Sequence, residues 1–134
     1  MSDFRRVTDA LFVSPQVSEA DIAEAAAKGF ALVINNRPDG EDPSQPPGAA
    51  IESAVRAAGL DYLHVPVRGG PTPEQVETVR AAIEAATGPV LAFCRSGTRS
   101  IITWSLGRAL AGDDRETLVA RGREAGYDLS GVLP

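Results

Sequence analysis

Short apolar runs alternate along this chain with longer segments in which apolar residues recur every three or four positions. Continuous runs rich in β-branched residues are typical of strands that are buried on both faces of a parallel sheet. Such runs predict strands at Phe30–Ile34, Tyr62–Val67 and Val90–Phe93, after a first short apolar stretch at Ala10–Ser14. The alternation of strands with helices predicts an α/β fold with a mainly parallel central sheet flanked by helices.

Capping residues mark where the helices begin. Ser18 has an acidic residue three positions later, close to a capping box, and Thr72 is followed by a proline at the first helical position. The predicted helices run from Ser18 to Gly29, from Ala49 to Ala58, from Thr72 to Ala86, from Ile101 to Leu106 and from Arg115 to Arg123. No internal repeat is evident, so we expect the 134 residues to form one domain.

A long polar segment, Asn35–Gly48, separates the strand Phe30–Ile34 from the helix that follows it. The segment contains four prolines and two glycines, which predicts turns rather than a regular element. Connections of this length inside a compact domain are often functional, and an ordered surface loop is the alternative.

Composition and charge narrow the classes of function. Of the 134 residues, 43% are hydrophobic, and thirteen basic and eighteen acidic side chains give a net charge of −5. This balance argues against a broad nucleic-acid-binding face, because phosphate neutralisation needs an excess of Lys and Arg. The chain starts without an apolar h-region, and no apolar run approaches the roughly 20 residues that span a bilayer. We therefore expect a cytoplasmic protein that binds neither nucleic acid nor membrane.

A single cysteine, Cys94, and a single histidine, His64, limit the metal and redox chemistry. One cysteine cannot form an intramolecular disulfide, and two such ligands are too few for an ordinary Cys/His zinc site, so we predict no metal site. A lone free cysteine is usually an inert buried hydrophobe. Cys94, however, shares its loop with a glycine, two arginines and several hydroxyl residues, and this combination favours a functional role.

The segment Cys94–Ser100 connects the strand Val90–Phe93 to a helix, at the sheet edge where open α/β folds bind their ligands. The backbone N–H groups of such a loop and the helix N-terminus favour an anion, and they favour the thiolate form of the cysteine for the same reason. We predict that Gly97 lets the loop curl tightly and that Arg99 binds two oxygens of a tetrahedral anion. We further predict that Ser100 donates a hydrogen bond to the sulfur.

The sequence Cys-Arg-Ser-Gly-Thr-Arg-Ser at residues 94–100 resembles the anion loops of cysteine-based phosphatases and rhodaneses. Four residues separate Cys94 from Arg99, which is the common rhodanese spacing, whereas protein tyrosine phosphatases have five. Three segments together resemble the phosphatase-like domain family of beta-lactamase hydrolase-like proteins. They are residues 33–41, residues 62–67 with the glycine pair that follows, and residues 88–100. This second resemblance extends over nearly the whole chain.

The family resemblance implies a dual-specificity-phosphatase-like fold and the hydrolysis of phosphate monoesters through a phosphocysteine, without a cofactor. It implies that Cys94 is the nucleophile, that Arg99 is the clamp and that the backbone between them is the phosphate cradle. The cradle residues are Arg95, Ser96, Gly97 and Thr98. The implied substrate is a phosphorylated small molecule or protein, with phosphotyrosine as one option.

The general acid is the part of this mechanism for which the sequence offers several candidates. Dual-specificity phosphatases usually have an Asp on the loop after the strand that corresponds to Tyr62–Val67, but residues 68–72 contain no carboxylate here. The long loop offers Asp39, Glu41 and Asp42. We select Asp39 as the candidate acid, with solvated turn acids as the alternative.

Other side chains near these segments have more ordinary interpretations. Arg37 and Arg68 are expected to form surface salt bridges, or to widen the basic mouth of the site. His64 is expected to be a hydrogen-bonded strand residue, and Trp104 a core residue.

Two further functions compete with the phosphatase. In the first, Cys94 carries a persulfide, and the tight loop stabilises one sulfur in a rhodanese-like sulfurtransferase. In the second, the loop is a non-catalytic module that binds an anion or a phosphorylated partner.

Overall fold

Strands and helices alternate from β2 to α4, after the short strand β1 and before the last helix α5. The computed structural model describes residues 2–134, and residue 1 lies outside it. Its elements are β1 (Arg5–Arg6), β2 (Leu11–Ser14), α1 (Glu19–Ala27), β3 (Leu32–Asn35), α2 (Gly48–Ala57), β4 (Asp61–His64), α3 (Pro73–Ala85), β5 (Val90–Phe93), α4 (Thr98–Leu110) and α5 (Arg115–Glu124). Of the helices in residues 2–134, none has the length and apolar character needed to cross a membrane.

The sheet has the strand order β1-β2-β5-β3-β4. The short β1 pairs antiparallel with β2, and the remaining neighbours pair parallel. The mainly parallel α/β fold predicted from the alternating pattern is therefore confirmed. Because β5 lies between β2 and β3, the chain that leaves β5 at Cys94 emerges from the middle of the sheet.

Alternate residues of the central strands face opposite layers of helices, as expected for a pleated strand. Val33 and Leu91 pack into a core cluster with buried residues of α1 and α2. Ile34 and Ala92 pack into the other cluster, with buried residues of α3, α4 and α5. The sheet is thus covered on both faces, which explains why the strands are continuously apolar in sequence.

The predicted helix starts at Ser18 and Thr72 are confirmed by complete capping boxes. The Ser18 hydroxyl accepts the N–H of Asp21, whose carboxylate accepts the Ser18 N–H in return. Thr72 and Gln75 make the same reciprocal pair at α3. Each box satisfies two amides that a helix N-terminus otherwise leaves without partners.

Two element boundaries differ from the prediction in ways that affect the site. The fourth strand ends at His64 rather than Val67, because Pro66 has no N–H with which to continue the ladder. Val65 and Val67 still donate to the carbonyls of Asn35, the last residue of β3, and of Asn36, which follows it. The helix after Cys94 begins at Thr98 rather than Ile101. Arg99 and Ser100 therefore belong to the first helical turn and not to the preceding loop.

We expect the sheet core to dominate the stability of the domain. Leu91 is fully buried in β5, so Leu91→Ala should lower the free energy of unfolding by about 2–5 kcal/mol through lost burial and a residual cavity. The same substitution at Leu110, which is 76% exposed, is the matched control and should cost less than about 0.5 kcal/mol. Denaturant-induced unfolding measures both, and equal losses would contradict this assignment of the core.

Candidate active site

Cys94 lies directly after the central strand β5 and is fully buried. Its N–H donates to the carbonyl of Ser14, at 3.4 Å, and its Sγ accepts the N–H of Gly97 at 3.1 Å. The sulfur is therefore held at the sheet edge with a backbone N–H directed at it. An N–H in this position stabilises negative charge on the sulfur or on a group bound to it.

Gly97 is required at this position for two reasons. Its φ is +91°, in the left-handed region that strongly favours glycine. A Cβ at residue 97 would also collide with the hydroxyl of Tyr127. The prediction that Gly97 allows a tight curl is thus supported by its backbone geometry.

The N-terminus of α4 points its partial positive charge at the same loop. Gly97 is the N-cap and makes no side-chain cap, and the Thr98 N–H donates to the Ser96 hydroxyl at a long 3.5 Å. The helix has 13 residues, and the first-turn N–H groups of such a helix attract anions. Arg95, Ser96 and Thr98 are exposed, and the contribution that the family resemblance implies for them is through the backbone.

Arg99 is oriented by three hydrogen bonds. Its Nη1 and Nη2 donate to the two carboxylate oxygens of Glu41, at 2.7 and 2.8 Å, and Nη1 also donates to the Val67 carbonyl at 2.8 Å. A guanidinium has five N–H groups, so within residues 2–134 the Nε edge remains for another acceptor. Glu41 raises the pKa of the Arg99 guanidinium, and the nearby Cys94 sulfur adds to this effect. Arg99 is thus held in a fixed orientation, and its Nε–H is still available to a further acceptor.

Glu41 is the carboxylate that the structure brings into this cluster. It also accepts the Nε–H of Arg37 at 3.1 Å. The hydrogen bonds from Arg99 and the one from Arg37 outweigh the opposing effect of desolvation and lower the pKa of Glu41 from 4.5 to about 2. Glu41 is therefore ionised at neutral pH and serves as a partner for the two arginines. In this arrangement it is not a proton donor.

Arg37 is not the surface residue that the sequence led us to expect. It is only 5% exposed, and besides Glu41 it binds the side-chain carbonyl of Gln16, at 3.0 Å. Burial is tolerated because both partners lie within hydrogen-bond distance of the guanidinium. Arg68, by contrast, is exposed.

Asp39, our candidate acid, makes a different contact from the one that its role requires. Its Oδ1 accepts the N–H of Gly48, at 2.7 Å, and so caps the start of α2. Asp42 accepts the N–H and the hydroxyl of Ser44. Of the three acids in the long loop, only Glu41 is hydrogen-bonded to Arg99.

The expected hydrogen bond from Ser100 to the sulfur is replaced by another. The buried Ser100 hydroxyl donates to Oδ1 of Asn36, at 2.8 Å, and the Asn36 amide donates to the Val65 carbonyl at 3.0 Å. The Gly97 N–H takes the place at the sulfur that we had assigned to Ser100. Sequence reasoning missed Asn36, although an asparagine directly after a buried strand is a signal of a polar contact at the sheet edge.

His64 and Trp104 have the structural roles predicted for them. A His64 ring nitrogen lies 2.9 Å from the carbonyl of Arg37, and Trp104 is 6% exposed in the core. Across residues 2–134, no group of three or more His, Cys, Asp or Glu side chains is arranged to hold a metal ion.

Residues 3–111 match the protein family described as beta-lactamase hydrolase-like protein, phosphatase-like domain. The chain belongs to this family. The family resemblance inferred from residues 33–41, 62–67 and 88–100 is thereby confirmed, and the domain is phosphatase-like.

The beta-lactamase hydrolase-like protein of Agrobacterium fabrum strain C58 is 38% identical over 126 residues. The match covers 92% of this chain but 29% of the relative, so the chain spans less than a third of the length of that longer protein.

Solved structures support the phosphatase-like assignment of this family member. A candidate phosphatase from Neisseria meningitidis Z2491 is 35% identical, with a TM-score of 0.87 and coverage of 98% of this chain and 94% of that one. Pseudomonas aeruginosa TpbA, as a cysteine-to-serine variant in complex with phosphotyrosine, has a TM-score of 0.67 at 18% identity and covers 97% and 87% of the two chains. At that identity the likeness to TpbA shows the fold alone. The dual-specificity-phosphatase-like fold is confirmed by such neighbours.

We expect Glu41 to contribute to stability in a pH-dependent way. Its folded pKa, about 2, lies below the ordinary 4.5, so the contribution is fully present above pH 4.5 and is lost as the pH falls towards 2. Glu41→Gln should therefore destabilise the domain by about 1–3 kcal/mol at pH 7, and by progressively less on acidification.

Denaturant unfolding of both proteins between pH 7 and pH 2 measures this difference. Glu52→Gln, which breaks an exposed pair with Arg56, is the control and should cost about 0.5 kcal/mol or less. A difference between wild type and Glu41→Gln that stays constant down to pH 2 would contradict the assignment.

Proposed function

We propose that this domain is a cysteine-dependent phosphatase that hydrolyses phosphate monoesters through a phosphocysteine on Cys94. The observation that carries the proposal is the arrangement around the sulfur. The Gly97 N–H, the N-terminus of α4 and the Arg99 guanidinium all surround one buried cysteine. Membership of the phosphatase-like family supports the same reaction class.

Phosphate recognition follows from the donors of this loop. A phosphate monoester carries its negative charge on three non-bridging oxygens, and phosphoryl transfer depends mainly on positioning and on neutralising that charge. The Nε edge of Arg99 is suited to two oxygens at once, since the guanidinium is planar. The Gly97 N–H and the helix N-terminus supply further donors without a change of conformation.

The proposed reaction has two displacement steps. In the first, the Cys94 thiolate forms an S–P bond as the P–O bond to the leaving group breaks, and the leaving oxygen departs as an anion that takes a proton from solvent water. In the second, a water molecule attacks the phosphorus and the S–P bond breaks, which releases inorganic phosphate and restores the thiolate. Neither step requires an oxidant, a reductant or a cofactor.

Arylphosphates such as phosphotyrosine are the substrates that this site suits best. The acids of the long loop are committed to other donors, Asp39 to the Gly48 amide and Glu41 to two arginines. A phenolate leaves more readily than an alkoxide without full protonation, so the site favours aryl over alkyl esters.

The first test compares wild type with Cys94→Ser. We expect an aryl phosphate to be hydrolysed by the wild type and not above background by the variant, because a serine hydroxyl is far less ionised than a thiol. Release of inorganic phosphate and of the phenol measures turnover. Acid quenching of the wild type should also trap a phosphoprotein that the variant lacks.

A second assay on the same two proteins uses thiosulfate and cyanide. The reason for this assay is the four-residue Cys-to-Arg spacing, which is common in rhodaneses. Thiocyanate formation by the wild type that is lost in Cys94→Ser would identify a sulfurtransferase. Phosphate binding without either turnover would identify a binding module. Equal activity of Cys94→Ser and wild type in both assays would show that the cysteine mechanism is wrong.

The second test concerns Asp39. Because its carboxylate caps α2, Asp39→Asn should leave the dependence of kcat/KM on leaving-group pKa unchanged across a series of aryl phosphates. Asp42→Asn, from the same loop, is the matched control. A steeper dependence in Asp39→Asn alone would show that Asp39 leaves its cap during turnover and protonates the leaving group.

A further inference from the structure

The peptide unit between Ser96 and Gly97 is hydrogen-bonded at both ends. Its carbonyl accepts a hydrogen bond from the Tyr127 hydroxyl, at 2.8 Å, and its N–H donates to Cys94 Sγ, at 3.1 Å. In a trans peptide the C=O and the N–H point in opposite directions. Holding the carbonyl outward therefore directs the N–H inward, towards the sulfur.

Two carbonyls that precede Ser96, one at the end of β5 and one in the loop, also have donors from other segments. The Phe93 carbonyl accepts the N–H of Asn36, at 2.8 Å, and the Arg95 carbonyl accepts the N–H of Gln16, at 3.4 Å. Those two donors are backbone groups that follow β3 and β2. The donor to the Ser96 carbonyl is the exception, since it is a side chain and comes from the segment after α5.

Gly97 follows the Ser96 carbonyl, and glycine restricts the orientation of the preceding peptide less than any other residue does. Gly97 is stable at φ +91°, but glycine adopts negative φ about as readily. A rotation of the 96–97 peptide would turn its N–H away from Cys94 and bring a carbonyl oxygen towards the anion site, where it would repel a phosphate. A contact from outside the loop is therefore needed to select the observed orientation.

Tyr127 is well placed to make that selection. It is half-buried, and its ring lies beneath the Arg5 guanidinium, whose Cζ is 5.2 Å from the ring centroid. Its hydroxyl fills the space that a Cβ at Gly97 would occupy. Tyr127 also lies outside residues 3–111, the part of the chain that matches the family.

We propose that Tyr127 is a positioning residue, which holds the Ser96–Gly97 peptide with its N–H directed at Cys94 and at a phosphate bound above it. The effect on turnover rests on the proposed phosphatase function. The effects on the loop and on binding of inorganic phosphate do not depend on turnover. A test that measures all three therefore separates a failure of this inference from a failure of the function.

The test uses Tyr127→Phe in the full chain, which removes the hydroxyl and keeps the ring. Ser130→Ala is the matched control, because it also removes a hydroxyl from the C-terminal segment. The Ser130 hydroxyl donates to Asp128 and not to the loop. Three experiments are made on each protein: NMR gives the ¹H–¹⁵N resonance of Gly97, calorimetry gives the Kd of inorganic phosphate, and steady-state kinetics give kcat and KM for an aryl phosphate. Thermal unfolding confirms that each variant is folded.

We expect Tyr127→Phe to shift or broaden the Gly97 resonance and to raise the Kd of phosphate about three- to tenfold, the range of one hydrogen bond. Its kcat should fall by a similar factor, since the N–H also stabilises the transition state, and Ser130→Ala should match wild type. A lower melting temperature with an unchanged Gly97 resonance and phosphate Kd would overturn the proposal, because Tyr127 would then be structural only. If no protein hydrolyses the ester but Tyr127→Phe still alters the resonance and the Kd, the inference holds and the phosphatase function fails.

Discussion

The bidentate ion pair between Glu41 and Arg99 is the interaction on which the site depends. It joins the long loop after β3 to the first turn of α4, and the Val67 carbonyl adds the segment after β4 to the same guanidinium. An arginine with several rotatable bonds loses much of its freedom in such a contact before any ligand arrives. The entropic cost of orienting Arg99 is thus met during folding, which leaves more of the binding energy for an anion.

The Glu41 carboxylate would repel an anion bound beside it, and a second cation, Arg37, offsets this repulsion. Arg37 and Arg99 share Glu41, so the three side chains together carry one positive charge. The helix N-terminus adds further positive potential at the loop. The net charge of −5 for the whole chain therefore does not describe this site, because field strength at a ligand depends on the nearest groups and their burial.

Local signals in the sequence predicted much of the fold and only part of the site. The predicted strand Val90–Phe93 matches the structure residue for residue because buried parallel strands are continuously apolar. The helix starts are predicted correctly because Ser18 has an acidic residue three positions later and because Thr72 is followed by a proline at the first helical position. The start of α4 was missed because its N-cap, Gly97, has no side chain to signal it. The Glu41–Arg99 and Asn36–Ser100 contacts join residues 58 and 64 positions apart, and they depend on a strand order that periodicity does not encode.

An anion loop has to overcome a conflict within its own backbone. N–H groups that converge on one point repel one another, and each inward N–H has an outward carbonyl that must find a donor elsewhere. Here the carbonyls of Phe93, Arg95 and Ser96 take their donors from three separate segments, so the loop has its shape only when the surrounding fold is complete. The short motif that contains Cys94 specifies the reactive groups, while the turns after β2 and β3 and the tail after α5 specify their direction. The same motif on a scaffold without those donors would keep its cysteine and arginine, but its Gly97 N–H would no longer be held in its direction towards the sulfur.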